Sequence, residues 1–139
     1  MKYVYTAIFT PESDWGFSVQ ILDLPGCITC GDTIADAIEM AEDASAMWLC
    51  DAEDKHEAIP QASKLADVKC NKDSFLNLIV ADTAKYRREN DNRAVKKTLS
   101  IPSWLNVQGE KAGVNFSQIL QDGLKSHLGL EHQSVRKQP

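Results

Sequence analysis

The sequence predicts an α+β protein in two parts. A front β-β-β-α-β unit spans residues 1–85, a linker covers 86–92, and a back strand-helix-helix unit spans 93–130 ahead of a polar tail, 131–139. Three observations predict this division. Hydrophobic periodicity runs near two through the first thirty residues and changes to the helical period after Thr33. Charge is split: residues 1–70 hold 4 Lys/Arg against 13 Asp/Glu, net -9, while residues 71–139 hold 11 against 7, net +4, together the chain's -5. The polar run Asn90-Asp91-Asn92 separates the apolar patterns on either side. Opposed charge in the two halves points to different partners for each.

Each element follows from its residues. Tyr3-Val-Tyr-Thr-Ala-Ile-Phe9 is rich in aromatic and β-branched residues and suits a strand. Pro11 to Gly16 has turn composition, and Phe17-Ser-Val-Gln-Ile-Leu22 alternates back as the second strand of a hairpin. Leu24-Pro25-Gly26 turns the chain into a short third strand, Cys27–Cys30. Thr33 can cap a helix whose stripe is Ile34, Ala37, Ile38, Ala41, Ser45, Trp48 and Leu49, with Asp36, Glu39, Glu42, Asp43 and Glu53 on the opposite face. Ile59-Pro60 interrupts regular structure. Ser74 to Ala81 is a nearly continuous apolar run, as expected of a strand buried on both faces. Ala84 to Glu89 suits a short helix or turn.

In the back unit, residues 95–101 alternate. Val95, Lys97, Leu99 and Ile101 take one face, and Lys96, Thr98 and Ser100 the other. Pro102-Ser103 opens a helix weakened by Gly109, at about 0.8–1 kcal/mol relative to Ala. Gly113 suits a left-handed helix terminus. Asn115 or Phe116-Ser117 opens a second helix with the apolar stripe Phe116, Ile119, Leu120, Gly123, Leu124, His127 and Leu128. His127 falls on this stripe and reads as a core or rim residue, not a metal ligand.

Composition excludes several classes. With 43% hydrophobic residues the chain is not a disordered one. No apolar run approaches the ~18 residues of a membrane span. The opening residues move directly into a strand pattern without a signal peptide, so a cytosolic protein is expected. Cys27 and Cys30 form a C-x-x-C pair, but Cys50 and Cys70 are isolated, and the three histidines supply no second pair of zinc ligands. No thioredoxin-like context surrounds the pair. The expectation is four ordinary reduced thiols, with no metal and no cofactor.

Specific residues carry a family resemblance. Trp15-Gly16-Phe17, Asp23-Leu24-Pro25-Gly26-Cys27-Ile28-Thr29, Gly31-Asp32-Thr33, the small-residue helix and Ile59-Pro60 together resemble the HicB antitoxin family. The resemblance implies a front domain that is a truncated, partial ribonuclease H-like fold. The segments Thr98-Leu-Ser-Ile-Pro-Ser-Trp-Leu105 and Ala112 to Gln118 resemble a ribbon-helix-helix module, which implies DNA binding and dimerisation. The implied front-domain partner is a HicA-type toxin, a small basic RNA-cleaving protein that relies on a histidine.

Ribonuclease H ancestry raises a nuclease reading, since such enzymes gather carboxylates around two metal ions. Asp14, Asp23, Asp32, Asp36 and Asp43 are candidates, yet Asp23 and Asp32 flank turns and the helical acids lie on a polar face. A non-catalytic binding scaffold is the expectation. Asp36, Glu39, Glu42 and Asp43 are the candidate toxin-binding acids, because opposed potentials steer a basic partner. Trp15, Met47 and Trp48 are either apolar anchors or core.

For DNA, a two-stranded antiparallel ribbon fits the major groove, so Lys96, Thr98 and Ser100 are the candidate base contacts. Asn115, Phe116 and Ser117 at the second helix start are candidate phosphate contacts. One strand and two short helices cannot cover their own apolar stripe. A dimer core of Leu99, Ile101, Phe116, Ile119, Leu120, Leu124 and Leu128 is therefore expected, in a homodimer or homotetramer suited to a two-fold operator. The function expected is an antitoxin that neutralises its toxin and represses its own operon. The alternative is a repressor whose front domain senses another protein or a small ligand.

Overall fold

The structure is a computed structural model that describes residues 1–130. It divides into two compact units, one from Met1 to Arg93 and one beginning at Ala94. In the first unit, strands β1 (Lys2–Pro11), β2 (Phe17–Gln20), β3 (Ile28–Gly31) and β4 (Phe75–Asp82) form one antiparallel sheet in the order β3-β2-β1-β4. Helix α1 (Ile34–Asp54) covers one face, and helix α2 (Thr83–Glu89) follows β4 directly.

The core forms because alternate residues of β1 point at α1. Tyr5, Ala7 and Phe9 are buried, and the register sets Phe9 opposite both Val19 and Phe75. The Phe9 and Phe75 rings stack with centroids 5.2 Å apart, and Phe17 meets Phe75 edge-on at 6.2 Å. From α1 come Ala37, Ala41, Ser45, Ala46 and Leu49, mostly small residues that let the helix lie close to the sheet. Gly31 makes the closest of these approaches. A Cβ there would fall 2.3 Å from the Ala37 backbone nitrogen, so the helix could not start where it does. Thr33 caps α1 as its residue type predicts, accepting from the Asp36 N–H at 3.1 Å.

Tyr5 and Asp23 hold the long segment between α1 and β4 by hydrogen bonds. The Tyr5 hydroxyl donates to the Pro60 carbonyl at 2.7 Å, and the Ser63 N–H donates to the Asp23 carboxylate at 2.9 Å. Asp23 is thus held by a loop contact across the turn.

Three expectations about this chain need correction. The apolar run at β4 is not buried on both faces. Only Ile79 and Ala81 are buried, while Leu78 and Val80 are 52% and 43% exposed. Continuous apolarity suits a central parallel strand, but β4 is an antiparallel edge strand with one covered face. Second, Glu53 is not an idle member of a polar face. Its carboxylate accepts from the Tyr3 hydroxyl at 3.0 Å and from Arg87 of α2 at 3.1 Å, with the Thr83 hydroxyl 3.2 Å away. Arg87 also reaches Asp54 at 2.8 Å, so residues 83–89 form a helix tied to α1 instead of opening a linker at residue 86.

Third, residues 91–102 form no regular element in the single chain, although alternation predicts a strand over 95–101. A strand is defined by its ladder, and a lone one has no partner for its N–H and C=O groups. The second unit therefore consists of helices α3 (Ser103–Lys111) and α4 (Phe116–His127) after an exposed segment without regular structure. Gly113, at φ +64°, ends α3 with the Val114 N–H donating to the Gly109 carbonyl at 3.2 Å. The expected tail, 131–139, lies outside the described residues.

Candidate protein- and DNA-binding surfaces

The outward face of α1 carries the front unit's candidate site. By helical spacing Asp36, Asp43 and Met47 share one face, and Glu39 flanks it. Asp36, Glu39 and Met47 are exposed, and Asp43 is half-buried. Glu42 is also half-buried and sits nearer the packed side, so it contributes less to this acidic surface than its neighbours. Met47, 41% exposed, adds an adaptable apolar group among the acids.

The tryptophans separate into two roles. Trp48 is half-buried against the core, and its indole N–H donates to the Pro25 carbonyl at 3.1 Å. It clamps the Asp23-Leu24-Pro25-Gly26 turn onto α1. Trp15 lies in the β1–β2 turn and is 48% exposed, leaving its ring available as an anchor.

The carboxylates raised by the nuclease reading do not converge. Among the described residues no three His, Cys, Asp or Glu side chains come together as a metal site. The four cysteines are free thiols, Cys27 and Cys50 buried and Cys30 and Cys70 exposed. Burial pushes the Cys27 thiol upward, with a hydrogen bond from Ser45 opposing that in part, which favours its neutral form. Among the described residues no helix is long and apolar enough to cross a membrane.

In the second unit Lys96, Thr98 and Ser100 are all exposed on the segment before α3, with Leu99 and Ile101 between and after them at 58% and 48% exposure. Asn115 has a defined task. Its side-chain oxygen accepts from the Gln118 N–H at 3.0 Å and caps α4. Any phosphate contact from Asn115 must then use its side-chain NH2 or backbone N–H, next to the first-turn N–H groups of Phe116 and Ser117.

The apolar stripe of α4 is only partly covered within the described residues, with the Phe116 ring lying over Gly109 of α3. Phe116, Ile119, Leu120, Leu124 and Leu128 are all exposed, and neither α3 nor α4 contains a buried residue. Sequence reasoning missed the contribution of α3. Trp104, Leu105 and Val107 are exposed too, Trp104 at 67%. The signal is their i, i+1, i+3 spacing, in a helix that its glycine makes look weak.

Comparison with known proteins gives these surfaces a context. The family model of HicB-like antitoxins of bacterial toxin-antitoxin systems matches residues 5–113. Among curated proteins none matches. Among solved structures, a chain of a toxin-antitoxin complex from Streptococcus pneumoniae is similar at 24% identity and TM-score 0.59, over 91% of this chain and 99% of that one. The Burkholderia pseudomallei antitoxin HicB is similar at 18% identity and TM-score 0.52, over 93% and 97%. The antitoxin HicB3 aligns at 25% identity and TM-score 0.50, over 93% and 96%. These structural likenesses show a shared α+β fold along nearly the whole of each chain. With the sequence match covering the front unit, the segment that follows it and α3, the chain belongs to the HicB-like antitoxin family.

Proposed function

We propose that this chain neutralises a HicA-type RNA-cleaving toxin with its front unit, and that two copies joined through the back unit bind operator DNA of its own operon. The front unit acts as a partial ribonuclease H-like scaffold without catalysis, in the cytosol. The observation that carries the reading is the contrast between the units. The front one has a closed core and an acidic helix face, while neither helix of the back one has a buried residue despite a full apolar stripe. A helix pair in that condition gains a core when a second copy covers its stripe. Pairing would also give residues 95–101 the ladder they lack alone, forming the two-stranded ribbon of a ribbon-helix-helix dimer.

In that ribbon Lys96, Thr98 and Ser100 face the major groove, and Leu99 and Ile101 join Phe116, Ile119, Leu120, Leu124 and Leu128 in the dimer core. The α4 start, at Asn115, Phe116 and Ser117, grips a phosphate. The toxin's basic RNA-binding surface meets Asp36, Glu39, Glu42 and Asp43. Charge there sets encounter and orientation, and apolar groups such as Trp15 and Met47 add affinity.

The test is a gel-shift titration of the full chain against its upstream DNA. The triple variant Lys96→Ala, Thr98→Ala, Ser100→Ala should lose specific binding. A good bidentate base contact discriminates by roughly 1–3 kcal/mol and a single contact by less, so the three losses together should weaken specific binding by about tenfold or more. An unchanged titration would sink the assignment of this strand face.

A further inference from the structure

We propose that β4 pairs edge to edge, antiparallel, with β4 of a second copy of this chain, joining two front units into one eight-stranded sheet. The interface lies beyond the toxin and DNA surfaces described above and uses neither.

The sheet has a covered face and an open one. Register places Val4, Ile8, Leu76, Leu78 and Val80 on the face away from α1. Val4, Leu78 and Val80 are exposed at 48%, 52% and 43%. Solvated faces of antiparallel sheets ordinarily carry polar residues, so an apolar row here marks an interaction surface.

That row ends at an unprotected edge. β4 is the outer strand of the sheet. Monomeric proteins blunt such edges with charge, proline, a bulge or very short strands. From Phe75 to Ala81 there is neither a charged residue nor a proline. Its pairing with β1 runs over eight consecutive residue pairs without a bulge. The edge is thus long, regular and uncharged, with N–H and C=O groups along its outer side.

Two candidate occupants differ in charge. A basic partner is drawn to the acids of α1, which packs on the opposite face of the sheet, and a neutral edge offers it nothing comparable. The edge does match itself. A two-fold axis at Leu78 sets Leu76 of one copy opposite Val80 of the other and extends the apolar row across the junction. In the same register Asp82 of one copy falls opposite Ser74 of the other, beyond the apolar stretch. Self-complementarity in hydrogen bonding and side chains favours a second copy.

The experiment is thiol cross-linking of the full chain with a short bismaleimide. The background is Cys30→Ser with Cys70→Ser, since the remaining thiols are buried. Leu78→Cys should yield several-fold more covalent dimer than Gln20→Cys, a control exposed on the same sheet face but away from the β4 edge. Using the full chain in both cases equalises any proximity created by the back unit. If Leu78→Cys does not fold, mixing Leu76→Cys with Val80→Cys chains reads the same pairing. Equal yields from the Leu78→Cys and Gln20→Cys variants overturn the proposal. If yields are equal and Leu78→Lys also abolishes toxin inhibition, the toxin is the occupant of this edge, and the reading of α1 as its docking face fails with it.

Discussion

At Gly109 a single hydrogen decides how α4 meets α3. Alanine would favour the helix by about 1 kcal/mol. Its Cβ, however, would lie 2.6 Å from Cζ of Phe116 and 2.9 Å from Cε1, so the ring must leave its place. In the packed interface proposed for the dimer, overpacking of this kind costs about 1–3 kcal/mol, enough to offset the helix gain. Gly109→Ala should therefore weaken the dimer in a concentration-dependent thermal melt, and a rise in melting temperature would contradict this account. Glu53 makes a second prediction at this scale. Burial pushes its carboxyl up, but hydrogen bonds from Arg87, Tyr3 and Thr83 outweigh that and hold it below its ordinary 4.5. A carboxyl lowered on folding stabilises the fold fully above that ordinary value, and the contribution fades as pH falls through the lower folded value. Front-unit stability should thus decline in acid below about pH 4.5, and Glu53→Gln should flatten that decline while lowering stability at neutral pH. Urea titrations from pH 3 to 7 with parallel profiles for both proteins would refute the network's role.

At the element scale, α4 is the part whose chemistry is incomplete in one chain. Leu124 is 52% exposed on the stripe that the dimer is proposed to bury. Leu124→Glu should place an unpaired charge in that interface, costing roughly 3 kcal/mol or more and leaving the back unit unable to hold DNA. Light scattering that still reports the wild-type mass, with operator binding intact, would rule out the interface. Elements differed in how plainly their residues announced them. Thr33, the small-residue stripe of α1 and the aromatic alternation of β1 were legible because local chemistry and burial agree there. β4 misled because apolar residues on both faces look alike whether the second face meets a helix or a partner. Glu53 was hidden because its partners lie 50 residues before it and 30 or more after it, on β1 and α2. Alternation at 95–101 suggests a strand, yet the single chain forms none there, because a ladder needs a partner strand and none lies among the described residues of this unit. The candidate DNA and toxin contacts were chosen from residue type and spacing. The structure adds that all three strand positions are accessible and that Asn115 already serves as a cap.

Over the whole molecule, the two units differ in what they need. The first, through Arg93, contains its own core, its cap at Thr33 and the Glu53–Arg87 tie, so its stabilising contacts lie within its own residues. The second has no buried residue in either of its helices, and the reading proposed above supplies its core from another copy. On the proposed reading, the toxin-binding surface stays folded in a monomer while DNA binding depends on concentration. Linking the two through one chain lets occupancy at one end influence the other by avidity. The most direct test of this division is an RNA-cleavage assay in which residues 1–93 are titrated against the partner toxin. The fragment should block cleavage at the same stoichiometry as the full chain while giving no shift of operator DNA. A fragment that is folded by circular dichroism and fails to protect the RNA would contradict the division of labour proposed for this chain.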